Sequence, residues 1–212
     1  MSSFRRRLMM QQGGSGLPSK YQAVEYIKGN GKEYFYLPMF NYADCEVAFK
    51  VQYYDSLSDV NPFGAISGNN RLEQGAGWSG NNFAVNYGAS GLKVENMKAD
   101  YNAHEYLYDK SGAYIDGVLA TGSYYAGNAN GWGVFDDSLR VRMFGTDRGN
   151  VIRTCSVAIY HWKCTKNGED IINLIPCYNK TTLKIGMLDV VSKTFYTNEG
   201  GGEFTKGNDI KL

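Results

Sequence analysis

Between Glu46 and Tyr53 apolar and polar side chains alternate: Val47, Phe49, Val51 and Tyr53 share one face of an extended chain, and Glu46, Ala48, Lys50 and Gln52 share the other. A period of two is the signature of a half-buried strand. Phe83, Val85 and Tyr87 repeat it between Gly80-Asn81-Asn82 and Gly88, and the stretch from Leu139 to Phe144 sets Val141 and Met143 against Arg140 and Arg142. Tyr114-Ile115-Asp116-Gly117-Val118-Leu119 places Asp-Gly between apolar residues. That predicts a two-residue hairpin turn, because both turn positions tolerate positive φ. Ser156 to Cys164 reads as a long strand with Val157 and Ile159 on one face and Ala158, Tyr160 and Trp162 on the other, so a central position is expected. The Gly-rich segments 64–80 and 127–133 have no phosphate-loop lysine and no helix behind them, and read as loops. Nothing beyond the first dozen residues sustains a helical period, and neither an internal repeat nor a second domain boundary interrupts the series. Short strands at regular spacing predict an all-β fold of two packed antiparallel sheets.

Composition supports this reading. The chain has 212 residues, 43% hydrophobic and 20% charged, which is a globular balance and suits one large β domain. Its 17 Tyr favour pleated surfaces, and its 26 Gly supply turns. A net charge of +1 offers no basic field for nucleic acid. No apolar run approaches the roughly 20 residues that span a bilayer. Cys45, Cys155, Cys164 and Cys177 form no CxxC pair, and His104 and His161 alone supply a zinc site poorly. The even cysteine count permits a disulfide framework. However, the N-terminus lacks the apolar core of about 7–15 residues that a secretion signal needs. A reducing cytoplasm is therefore expected, with the cysteines as small buried hydrophobes.

Residues 1–16 stand apart as MSSFRRRLMMQQ followed by GGSG, a flexible hinge. They hold three Arg and no acid, so subtracting +3 from +1 leaves −2 for residues 17–212. Phe4 and Leu8 would share a face of a short helix too short to be stable alone. Fraying is the ordinary fate of such a segment. The charge asymmetry instead favours an anchor, in which Phe4, Leu8 and Met9 fill apolar grooves on a partner while Arg5, Arg6 and Arg7 pair with acids.

No catalytic constellation emerges. Glycoside hydrolysis needs two carboxylates flanking a cleft. The adjacent pairs Asp136-Asp137 and Glu169-Asp170 would point to opposite faces of a strand. No G-x-S-x-G elbow accompanies His104 or His161, which read as surface or strand histidines. A calcium site using Asp136, Asp137 or Asn130 has no spacing to enforce it. No metal and no cofactor is implied. Sugar recognition is better supplied, because it uses exposed rings with amides nearby. Trp78 with Asn81 and Asn82, and Tyr124 and Tyr125 with Trp132, have that composition. Either tryptophan could equally cap the core or face a neighbouring subunit.

The stretch Leu17-Pro18-Ser19-Lys20-Tyr21-Gln22-Ala23-Val24-Glu25-Tyr26-Ile27 resembles the LPSxYxxVEYI opening of concanavalin A-like (laminin G-like) jelly-roll domains encoded by phages and prophages of gut bacteria. Where that family continues GTQYIDTG, this chain has Gly31-Lys32-Glu33-Tyr34-Phe35-Tyr36-Leu37. The hairpin Tyr114–Gly117 is also similar. So is the ending: Asn173-Leu174-Ile175-Pro176-Cys177, then Ile185-Gly186-Met187-Leu188-Asp189, Phe195-Tyr196-Thr197-Asn198 and Gly202-Glu203-Phe204. The resemblance runs from Leu17 to about Lys206 and weakens in the middle. It implies a two-sheet antiparallel jelly-roll sandwich over residues 17–212, carried on the arm 1–16. The implied role is non-enzymatic: a virion structural protein, such as a capsid decoration, head-fibre or tail accessory component. It would be assembled in the bacterial host cytoplasm, joined to other virion proteins through the arm, and part of an oligomeric assembly. The fold alone does not fix a function. The alternative is a glycan-binding adhesion module that contacts host-surface glycans, with neither nucleic acid nor membrane as partner.

Overall fold

A computed structural model describes residues 17–54, 57–58, 60–68, 70–78, 81–125, 132–135, 137–147 and 152–211, with the side chains at 78 and 152–154 outside the description. The arm, and with it Phe4, Arg5, Arg6, Arg7, Leu8 and Met9, lies outside the described residues. Among those described, twenty strands form and no helix does.

In chain order the strands are β1 (Tyr21–Ala23), β2 (Ile27–Asn30), β3 (Phe35–Phe40), β4 (Cys45–Tyr53), β5 (Val60–Ser67), β6 (Asn70–Trp78) and β7 (Asn82–Gly88). There follow β8 (Ser90–Lys98), β9 (Ala103–Asp109), β10 (Gly112–Ile115), β11 (Val118–Leu119), β12 (Gly122–Tyr125), β13 (Leu139–Met143) and β14 (Gly145–Asp147). The last six are β15 (Ile152–Thr154), β16 (Ser156–Lys166), β17 (Glu169–Asn179), β18 (Ile185–Asp189), β19 (Phe195–Thr197) and β20 (Thr205–Lys206). They build two sheets. One has eleven strands along the path β11-β10-β9-β4-β16-β17-β18-β19, with β1, β2 and β20 attached beside β16 and β17. The other has nine strands along β12-β8-β7-β6-β5-β13-β3, with β14 and β15 attached beside β5. Pairing is antiparallel apart from β14 on β5.

The expected alternation in β4 is realised: Val47, Phe49, Val51 and Tyr53 are buried at 1% exposure or less, while Glu46, Lys50 and Gln52 are partly exposed. Facing them from the nine-stranded sheet are Phe63, Leu72, Phe83, Val85 and Tyr87, all within one apolar cluster that unites the sheets. The chain is therefore an all-β, two-sheet antiparallel sandwich. Residues 116 and 117 form the anticipated turn, with φ of 50° and 80° and Ile115 paired to Val118.

Two expectations are corrected. In β16 the register against β4 shifts between Ile159 and His161. The bulge at Tyr160 turns Trp162 to the same side as Val157 and Ile159, where it is fully buried and meets Phe63 edge-on at 5.9 Å. A bulge inserts one residue and inverts the alternation beyond it. Residues 64–67 and 70–78 of the segment read as a loop are strand instead, with Gly64, Gly75 and Gly77 inside the β5–β6 hairpin. Gly64 is required by packing: a Cβ there would lie 2.2 Å from the Thr146 hydroxyl, which rests on the sheet at that point.

Candidate functional site

The aromatic residues anticipated for sugar contact separate into two places. Trp78 ends β6, its backbone paired with Asn82. Asn81 is exposed at a φ of 57° and Asn82 is buried, its amide oxygen accepting from the Lys98 ammonium at 2.6 Å. These two residues therefore build the β6–β7 turn. Trp132 pairs through its backbone with Gly88, at the far end of β7. Six residues of extended chain put the two places about 20 Å apart. They are not one site.

At the Trp132 end, the indole packs on Tyr87 with 5.6 Å between centroids, and its Nε1 donates to the Asp109 carbonyl at 2.9 Å. Its polar atom is thus satisfied and its ring is half-buried against the core. Tyr124, on edge strand β12, is 52% exposed and meets Trp132 edge-on at 6.3 Å. Tyr125 points to the other face of the sheet, where its hydroxyl accepts from the Asn86 amide at 3.0 Å. Of the anticipated sugar-binding rings whose side chains are described, Tyr124 is the one presented to solvent. This division gives a sharp expectation. Trp132→Ala should lower the melting temperature by several degrees, whereas Tyr124→Ala should leave it within about a degree, since exposed positions away from special features change stability by about half a kcal/mol or less. Thermal unfolding of the two variants checks it.

Tyr125 also belongs to a polar row across the outer face of the nine-stranded sheet. Cross-strand pairing aligns it with Gly91, Asn86, Glu73, Gly64, Arg142 and Tyr36. Glu73 accepts from Asn86 at 3.0 Å and from Asn61 at 3.4 Å. The Arg142 guanidinium lies 3.7 Å above the Tyr34 ring and donates at 3.4 Å to the Tyr36 hydroxyl, which in turn donates to Asp147 at 3.1 Å. Glu73, Asn86, Arg142 and Thr146 are nevertheless buried to 3% exposure or less. The row is a closed floor rather than an open cleft.

The outer face of the eleven-stranded sheet is open. Near one end of β4, Gln52 gathers a polar cluster: its side-chain carbonyl oxygen accepts from Tyr54 at 3.1 Å and Tyr160 at 2.9 Å while its amide donates to the Tyr101 carbonyl at 3.0 Å. Burial, with Tyr160 and Tyr26 alongside, pushes the Tyr54 phenol up to about 12. Lys28 sits 3.7 Å over the Tyr54 ring and Lys50 5.2 Å over Tyr160, so these ring faces already carry cations. Beside them Glu105 accepts from His161 at 3.0 Å and lies 3.8 Å from Lys50.

The tightest titratable cluster is at the rim between the sheets. His104 Nδ1 is 2.6 Å from an Asp116 oxygen and Nε2 is 2.9 Å from an Asp100 oxygen. The carboxylates lie on opposite sides of the ring, so they cannot share one ion with it, and no group of three or more His, Cys, Asp or Glu among the described residues is arranged to hold a metal. The sequence reading of His104 as an ordinary strand histidine misses this arrangement. The available signal is the Asp-Gly hairpin: once Ile115 pairs with Tyr106, Asp116 must fall beside Glu105 and His104.

Compared with protein-family models the chain matches none, and compared with curated proteins it also matches none. The geometry of these sites is what a functional reading has to rest on.

All four cysteines are buried as thiols rather than disulfides, and that of Cys155 donates to the Asn61 carbonyl at 3.2 Å. Asp137 holds the Ser67 hydroxyl at 3.1 Å and the Ser138 amide at 2.7 Å, while Asp136 and Asn130 lie outside the described residues. Asp170 pairs with Lys163 at 2.7 Å, on the strand position after exposed Glu169. Asp137 and Asp170 thus have structural partners.

Proposed function

We propose that the chain is a non-enzymatic structural module of a bacteriophage particle, a capsid decoration, head-fibre or tail accessory component, held in the assembly by the basic arm 1–16. The observation that carries this reading is how firmly the arm's root is fixed. Leu17 packs on the small cluster of Tyr21, Cys177 and Leu188, which is separate from the main core. The Tyr21 amide closes a turn onto the Pro18 carbonyl at 2.9 Å, Lys180 N–H donates to the Lys20 carbonyl at 2.9 Å, and β1 then pairs with β17. A Gly-rich stretch ahead of a rigid root, as the sequence has at 13–16, would let an anchored domain stand clear of what it is anchored to. The resemblance of the opening and the ending to phage-encoded jelly rolls adds to this reading. So does the structural employment of the carboxylates.

Deleting residues 1–16 is expected to leave a folded domain with an unchanged melting temperature that is missing from purified particles by quantitative mass spectrometry. Normal incorporation of the truncated protein would overturn the anchor.

A second reading, a glycan-binding adhesion module, is favoured by one observation: the exposed Tyr124 ring set edge-on to Trp132 beside a sheet edge. Under it, Tyr124→Ala abolishes binding on a glycan array without loss of stability.

A further inference from the structure

We propose that His104 is a proton-dependent latch: as an imidazolium gripped between Asp100 and Asp116, it holds the β10–β11 hairpin and the loop before β9 onto the rim of the sandwich. Each partner is itself anchored. Asp116 accepts from the Glu105 amide at 2.9 Å, and its own amide donates to the Glu105 carbonyl at 2.8 Å. Asp100 accepts from the Asn102 amide at 2.7 Å and from its side chain at 2.9 Å. The ring stands edge-on to Phe83 at 5.6 Å and to Tyr106 at 6.3 Å, leaving the side chain 16% exposed. The other charged groups at this rim are committed elsewhere, Lys98 to Asn82 and Glu105 to His161 and Lys50.

Only the imidazolium has an N–H for each carboxylate. A neutral ring has one, so deprotonation turns a nitrogen lone pair toward a carboxylate less than 3 Å away and that contact fails. Burial opposes the charge on His104, but the hydrogen bonds it donates to Asp116 and Asp100 outweigh it, leaving its pKa above the ordinary 6.5. Burial likewise works against the Asp100 carboxylate, and the Asn102 and His104 hydrogen bonds outweigh it, holding its pKa below the ordinary 3.8. The signs follow. The histidine's contribution is fully present below its unfolded pKa and is lost as pH rises through the folded value, above 6.5. The Asp100 contribution is lost only as pH falls below 3.8. The latch is thus closed in mild acid and opens as pH rises through the His104 midpoint, above 6.5.

What it governs is the edge of the fold. β11 is the terminal strand of its sheet, exposes Val118 and Leu119 at 54% and 46%, and leads through Ala120 and Thr121 into β12 with Tyr124. Opening the latch loosens that apolar rim while the core stays packed.

Hydrogen exchange on the full chain tests this. Between about pH 6 and about pH 9, protection of amides 112–119, corrected for base catalysis, should fall by about tenfold or more in the wild type, the loss expected for a charge-assisted hydrogen bond. In His104→Gln it should not depend on pH. Asp116→Asn keeps the turn and its acceptor but removes the charge, and should lower the His104 titration midpoint read by NMR. The latch is refuted if His104 titrates at or below 6.5 in the wild type, if Asp116→Asn leaves the midpoint in place, or if hairpin protection follows pH equally in wild type and His104→Gln. Should His104→Gln fail to fold, the wild-type and Asp116→Asn midpoints decide alone.

Discussion

Replacing Phe49 with alanine is expected to lower stability by about 4 kcal/mol and the unfolding midpoint by about 12 °C, the largest effect of any single truncation considered. Phe49 is fully buried at the centre of β4. Its ring stacks on Tyr106 with centroids 4.8 Å apart and planes 6° from parallel, and meets Phe63 edge-on at 4.6 Å and Tyr108 at 5.1 Å. Two of these partners come from β9 in the same sheet and one from β5 in the other. The ring therefore joins the two layers, and its loss removes three aromatic contacts of about 0.5–1.5 kcal/mol each besides the buried area. Tyr108 cannot move into the gap without breaking its own bond, since its hydroxyl donates to the Gln74 side chain across the sheets. Urea denaturation should show a lower midpoint with an unchanged slope. A loss below about 2 kcal/mol would mean the core collapses into the space.

Phe49 is also where the sequence is easiest to read. The alternation from Glu46 to Tyr53 depends only on the two-residue repeat of the pleat, so it survives without any knowledge of neighbours. The same holds for Phe83, Val85 and Tyr87, and for the turn at Asp116 and Gly117. What fails is whatever a distant segment decides. Trp162 changes face because β16 bulges against β4, a strand more than a hundred residues earlier. Gly64 looks like a loop residue until Thr146 is seen lying on it. Glu73 and Asn86 lie on the outer face of their sheet, yet are buried to 3% or less.

The site was legible to a smaller degree, for a related reason. Composition can nominate rings and amides but not bring them together. Trp78 and Trp132 look alike in sequence and stand at opposite ends of β7. Trp132 spends its N–H on a backbone carbonyl, and Tyr124 remains free because it falls on an edge strand. His104 needed the hairpin register, not its own local sequence, to reveal two carboxylate partners.

Asp189→Ala is expected to cost about 3 kcal/mol, near 9 °C, although the residue touches neither candidate site. Its carboxylate is 2% exposed. One oxygen accepts from the Asn173 amide at 2.9 Å and the Val191 amide at 3.1 Å; the other accepts from the Ser192 amide at 3.2 Å and hydroxyl at 2.6 Å. Truncation removes the shared acceptor of four donors in the tight turn that joins β18 to β19, and with it the bond that holds this turn to β17. Asp189→Asn keeps one acceptor and should fall between, a ranking that thermal unfolding can read. The neighbouring motifs work the same way. Asn198 accepts from the Tyr34 and Gly200 amides at 3.0 and 2.8 Å, and Gly202 lies where a Cβ would strike the Glu33 carboxylate. Glu33 in turn holds the Asn30 amide at 2.6 Å. A Cβ on Gly186 would sit 2.1 Å from the Tyr196 carbonyl. Asp189, Asn198, Gly186 and Gly202 therefore close the turns of the chain's last strands and press those strands together. They argue for an architecture, and they leave the function to features that local patterns do not encode: the proposed anchor in the arm, the Tyr124 edge and the His104 latch.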